Sequence, residues 1–190
     1  MIKGIGATLL PFDTSLIPLV RTWINDEAVR RGTGTEGPVS DFEHERWYQN
    51  IMEDRSQRVF VIGMGEGAEA KPAGLIGLRG INWRARSAEF WIYIGDGSAT
   101  GKGIAHEASR MLLSFAFRTI GLNRIYLYVD VTNERAIRLY KKLGLKQEGV
   151  CRQAAFAEGM FLDRILFAIL AEEFKVAGVE QGEQKCSLAS

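Results

Sequence analysis

The sequence predicts a mixed α+β fold in which a mostly antiparallel sheet is flanked by helices. Three observations carry that prediction. Apolar residues recur at helical spacing near the N-terminus, in residues 13–30 and again in 41–54. Short β-branched and aromatic segments then follow one another with turn-like stretches between them. Toward the C-terminus the order becomes strand, helix, strand, helix, strand. Strands met in succession before any alternation imply α+β, not a doubly wound sheet.

Each element has its own warrant. "DTSLIPLVRTWINDEAVR" from Asp13 is helical in period, with an interruption expected at Pro18. "RGTGTEGPVS" is a loop by its Gly, Thr and Pro content. Ser40 with Glu43 fits a capping box, so "DFEHERWYQNIMED" begins a helix there. "RVFVIGM" and "AGLIGLRGI" read as strands joined by the hairpin loop "GEGAEAKP", and "AEFWIYIG" as a third. "GIAHEASRMLLSFAFRTIG" puts Ile104, Ala108, Met111, Leu112 and Phe115 on one helix face, with Gly121 placed to cap it. "NRIYLYVDV" is a strand, "NERAIRLYKKLG" a helix, and "GMFLDRILFAILAEEF" a strand running into a short helix. A single domain over residues 1–175 and a disordered tail over 176–190 are expected.

Composition narrows the function. The 190 residues carry a formal net charge of +1, with basic residues scattered, so neither nucleic acid nor a membrane surface is an expected partner. Cys151 and Cys186 lie far apart, and His44 and His106 are isolated, so no metal is expected. No apolar stretch nears the roughly 20 residues of a membrane span. A cytoplasmic protein follows.

The stretch "SATGKGIAHEA" places two glycines and a lysine before a helix. It is not a P-loop, since Asp96 stands five residues before Gly101 and Gly103 follows Lys102. A dinucleotide fingerprint fails at His106, where a third small residue is needed. The turn still suits an anion. Gly101 and Gly103 let the backbone approach closely, and the N–H groups of Ile104 and Ala105 lie at the positive end of the helix dipole. A glycine turn with a solvated lysine fits the same residues. Further on, Asn133 is a natural N-cap, and Asn133, Ala136, Ile137 and Tyr140 share one helix face.

Taken together, "GKGIA" at the head of one helix and "NERAIRLYKKLGL" after the next strand resemble the GNAT superfamily of acyl-CoA N-acyltransferases, over about Arg58 to Phe174. Members carry Gln/Arg-x-x-Gly-x-Gly/Ala; here it is Thr100-x-x-Gly103-x-Ala105, a departure at the first position. The resemblance implies a sheet of about six to seven strands, splayed at the cofactor-binding strand. It implies acetyl-CoA as cosubstrate, with its diphosphate on the amides of Gly101 to Ala105 and its pantetheine arm against Ile92, Tyr93 and Ile94. Lys102 would add charge from the rim, His106 would stand at the cofactor's edge, and Asn133 would bond the cofactor from the other side.

Acetyl transfer to an amine needs a neutral nucleophile, a polarised thioester and a proton for the departing sulfur. Glu89 shares a strand face with Trp91 and Tyr93, where a carboxylate is out of character unless it faces a cleft; it is the candidate base or amine anchor. The alternative for Glu89, near the start of its strand, is that it reaches solvent or pairs with an arginine such as Arg84 or Arg86. The resemblance gives Tyr140 the role of acid, and a backbone N–H of the splayed strand the thioester carbonyl. Attack is expected to be direct, since no base partners Cys151.

Within the superfamily the chain is similar to a branch holding spermidine/diamine, ribosomal-protein alanine and some amino-sugar N-acetyltransferases. The expected partner is therefore a small amine, most like a polyamine, or a peptide N-terminus. The acids Glu36, Asp41, Glu43 and Glu45 are interleaved with Arg30, Arg31 and Arg46, which departs from the acidic cluster of the polyamine enzymes. A non-catalytic acyl-CoA sensor is the reading of another class, and a homodimer is an expectation from the resemblance.

Overall fold

The computed structural model describes residues 1–174; the tail expected over 176–190 lies outside the described residues. Eight strands form one sheet: β1 (Ile2–Lys3), β2 (Ala7–Pro11), β3 (Arg58–Met64), β4 (Lys71–Asn82), β5 (Ser87–Ile94), β6 (Arg124–Asp130), β7 (Lys146–Ala157) and β8 (Met160–Leu170). Their order is β1-β2-β3-β4-β5-β6-β8-β7, and every neighbouring pair is antiparallel except β5 with β6. Mixed α+β architecture with a mostly antiparallel sheet is therefore observed, with eight strands where six to seven were expected.

The additional strands have weak local signals. β1 and β2 are short and flank Gly4 and Gly6, and β2 gains most of its ladder by pairing with β3, about fifty residues away in sequence. β7 is an edge strand with a largely exposed, polar sequence and no clean alternation to read.

Five α-helices are described: α1 (Ile17–Ile24), α2 (Glu27–Thr33), α3 (Asp41–Glu53), α4 (Ile104–Ser114) and α5 (Glu134–Lys142). Pro18 does not interrupt the first of them. It sits in the opening turn of α1, where its missing N–H costs nothing. The break comes later: Asp26 leaves helical geometry and its carboxylate accepts from the N–H groups of Ala28 and Val29, starting α2. The Ser40–Glu43 capping box forms as expected at the start of α3. α4 continues as a π-helical stretch, Phe115–Ile120, closed by Gly121 in the left-handed region.

Two apolar layers cover the sheet. Leu112 and Leu113 of α4 and Tyr140 of α5 pack with Ile76, Phe90, Leu127 and Phe167 on one face. Val20 and Trp23 of α1 and Ile51 of α3 pack with Val61, Leu75, Trp91 and Tyr93 on the other. A fully buried leucine such as Leu112 contributes about 1.5–3 kcal/mol. These layers fix the helices; the site lies where the sheet itself parts.

Candidate active site

β5 and β6 are paired only at Ser87↔Arg124, Ala88↔Ile125 and Glu89↔Tyr126. Beyond Glu89 the strands diverge, while β5 stays paired with β4 through Ile94↔Gly74. The backbone of residues 90–94 therefore keeps a strand partner on one side only, and a cleft of about 620 Å³ opens through the sheet. The expected splay at this strand is present.

The cleft has two ends. Toward the α4 and α5 face it is lined by Gly101, Gly103, Ile104, Ala105, His106, Asn133 and Tyr140. Toward the opposite face it is lined by Asp26, Ala28 and Val29 of the α1–α2 region, and by Tyr128, Asp130 and Arg164. Ile92, Tyr93 and Ile94 form the β5 wall between them. Of the residues singled out in the sequence for cofactor contact, Lys102 alone stands outside this lining, exposed at the rim.

The glycine turn has the geometry an anion site needs. Gly101 and Gly103 adopt φ of 79° and 78°, where L side chains are strained, and a Cβ added at either would meet open space. The backbone of the turn is thus open to close approach. Gly103 is the N-cap of α4 and supplies no side-chain cap, so the first N–H groups of the helix stay available at its positive end. A bound diphosphate fits that donor set.

Tyr140 is 8% exposed, with Phe90 and Phe167 each 6.2 Å away between ring centroids. Burial pushes its phenol up to about 12. It sits in apolar surroundings and lines the cleft. Burial also pushes the Tyr93 phenol up. The His106 imidazole, beside the glycine turn, is held below the usual histidine range, first by burial and then by the charges of Lys142 and Arg110. Asn133 caps α5, its Oδ1 accepting from Ala136 N at 3.1 Å, which leaves its amide N–H donors for another partner.

Glu89 departs from expectation. It shares a face with Trp91 and Tyr93, but it is the last β5 residue still paired with β6, roughly 13 Å along the strand from Tyr93. Its carboxylate is bonded by Arg79 at 2.5 Å, across the ladder on β4, and it does not line the cleft. The ion-pair alternative holds, with Arg79 as partner in place of Arg84 or Arg86. The carboxylates at the cleft are Asp26 and Asp130, which the sequence did not single out. Asp26 had a signal, an aspartate before a new helical stretch; Asp130 and Arg164 meet only through the β6–β8 register. Among the described residues no cluster of three or more metal-ligating side chains occurs, and no helix is long and apolar enough to cross a membrane.

Comparison with known proteins adds an independent line. The family model described as Acetyltransferase (GNAT) domain matches residues 7–146. The spermidine N(1)-acetyltransferase of Escherichia coli K12 is 31% identical over 166 residues, covering 87% of each chain. The crystal structure of spermidine N-acetyltransferase from Vibrio cholerae in complex with CoA and spermine superposes with a TM-score of 0.83 at 29% identity, covering 90% of this chain and 98% of that one. A dodecameric structure of the same Vibrio cholerae enzyme gives 0.75 at 29% identity, over 89% and 96%.

Proposed function

The chain belongs to the GNAT acetyltransferase family, and from that premise we propose that it acetylates a polyamine-class primary amine at the cleft between β5 and β6. It is an acetyl-CoA-dependent N-acetyltransferase. The observation that carries the assignment of the site is the parting of β5 from β6 after Glu89, with the glycine turn and Tyr140 both lining the cleft on the α4–α5 side. Residues 1–175 then act as one catalytic domain, working in the cytoplasm, where acetyl-CoA and polyamines meet.

Acetyl-CoA, when bound, supplies an acetyl group activated as a thioester. The amides from Gly101 to Ala105 hold its diphosphate, backed by the α4 dipole and the charge of Lys102. The unpaired edge of Ile92, Tyr93 and Ile94 orients the amide arm, and an N–H of that edge polarises the carbonyl. The Asn133 amide steadies the cofactor from α5. Tyr140 Oη holds the proton that the departing sulfur takes, and its elevated pKa keeps that proton in place until it is needed.

The acceptor approaches from the end lined by Asp26, Tyr128 and Asp130. An aliphatic amine has a pKa of about 10, so about one molecule in a thousand is neutral at pH 7. With Glu89 outside the cleft, that proton leaves to solvent at the open mouth. A polyamine acceptor is supported by the two spermidine-acetylating relatives. Assembly into a multimer is supported by the dodecameric relative.

Thiol release from acetyl-CoA, measured against spermidine, small diamines, amino sugars, amino acids and peptides with a free N-terminus, tests the reading. Turnover greatest with spermidine or a diamine is expected. Turnover confined to peptides or amino sugars would move the acceptor class. Tight acetyl-CoA binding with no turnover at all would leave a sensor.

A further inference from the structure

Asp130 and Arg164 stand directly opposite each other on β6 and β8. Arg164 Nε donates to Asp130 Oδ1 at 2.7 Å, and both side chains are only partly covered, at 33% and 25% exposure. Among the described residues Nε is the one engaged nitrogen of that guanidinium, so its Nη donors are uncommitted. The guanidinium also reaches toward α2: a Cβ built on Gly34, the C-cap of α2, would lie 4.0 Å from Nη2. Arg164 thus spans the acceptor end of the cleft from the β6–β8 wall to the end of α2.

The charge balance of the cleft makes this arrangement consequential. Its lining carries two carboxylates, Asp26 and Asp130, against two guanidinium groups, Arg135 and Arg164. Asp26, at the exposed start of α2, accepts from the N–H groups of Ala28 and Val29 on Oδ1 alone and keeps its charge. Asp130 is the carboxylate on the β6 wall of the cleft, and it is neutralised by a cation of the protein itself. An acceptor carrying several positive charges must share Asp130 with Arg164 or displace it, and each further ammonium group adds repulsion.

We infer that Arg164 is a specificity-determining residue which, by occupying Asp130, weakens binding of acceptors in proportion to their positive charge. This rests on the amine-acceptor reading of the same cleft. The pair tunes selectivity toward acceptors of lower charge, or toward those with a hydrogen-bond acceptor near the amine for the free Nη donors. It is a positioning contact, since Arg164 acts through the carboxylate that meets the amine.

The test compares wild type, Arg164→Gln, Arg164→Lys and Asp130→Asn on propylamine, putrescine, spermidine and spermine, which carry one to four amines. For Arg164→Gln the KM for spermine should fall by about tenfold, with progressively smaller effects down to propylamine. Arg164→Lys keeps the charge and should rank the four amines as wild type does; Asp130→Asn should raise KM most for spermine. The KM for acetyl-CoA serves as the internal control. A change in Arg164→Gln that is equal for all four amines, or none, overturns the inference, as does Arg164→Lys behaving like Arg164→Gln. If wild type binds acetyl-CoA yet acetylates none of the four, the acceptor reading fails separately. Calorimetric binding of spermine to the CoA-loaded proteins then decides: tighter binding to Arg164→Gln supports the charge competition, and equal binding rejects it.

Discussion

Tyr140 and Glu89 were the two side chains given chemistry in the sequence, and the structure separates them. Tyr140 opens onto the cleft, packed by Phe90 and Phe167, whereas Glu89 is tied to Arg79 below the parting of the strands. Replacing Tyr140 with Phe should therefore lower kcat about a hundredfold or more while moving the KM for acetyl-CoA little, since a general acid acts only as the bond breaks. Glu89→Gln should leave kcat near the wild-type value and lower stability by about 0.5 kcal/mol, the typical worth of a solvent-bordering ion pair. A hundredfold loss in Glu89→Gln would return that carboxylate to the chemistry. The pH profile follows from the same assignment. A phenol at about 12 stays protonated throughout the working range, so kcat/KM should climb with pH as the acceptor amine loses its proton, up to about pH 10. A descending limb between pH 7 and 9 would mean that a different group supplies the proton.

The elements explain which parts of the molecule could be read before the structure. The donor end of the cleft was legible because two local motifs build it: a glycine turn opening α4 and an asparagine-capped α5 that carries Tyr140 in its last turn. Each needs only neighbouring residues to form. The acceptor end was not legible, because Asp26, Asp130 and Arg164 come from three distant segments and meet through topology alone. The same division runs through the fold. β3 to β6 announce themselves by branched and aromatic composition, while β1, β2 and β7 are strands because a partner strand makes them so. α3 holds a consequence of its packing that no periodicity shows. His44 is 3% exposed, stacked on Trp47 at 5.1 Å, with Nδ1 lacking a hydrogen-bond partner among the described residues. Burial, and then the Arg21 charge, hold its pKa below 6.5. Protonation is thus harder in the folded state than in the unfolded one, so its contribution is present above pH 6.5 and is lost as pH falls through the folded value. The melting temperature should drop more steeply between pH 7 and 5 in wild type than in His44→Phe, measured by calorimetry. Parallel slopes would show that His44 titrates as freely folded as unfolded.

At the scale of the molecule, one parallel pair among antiparallel strands creates the site. A sheet closed through β6 would seal its two faces from each other. Because β5 leaves β6 after three pairs, the proposed donor on the α4–α5 side and the proposed acceptor on the α1–α3 side would meet through the gap. The two apolar layers keep that gap open by fixing the helices independently on either face. The most direct measurement is a crystal structure of the protein with CoA bound. The diphosphate is expected within hydrogen-bond distance of the amides from Gly101 to Ala105, the pantetheine arm along residues 92–94, and the sulfur beside the Tyr140 hydroxyl. Diphosphate density away from that turn, or a Tyr140 hydroxyl directed into the packing of Phe90 and Phe167, would contradict it.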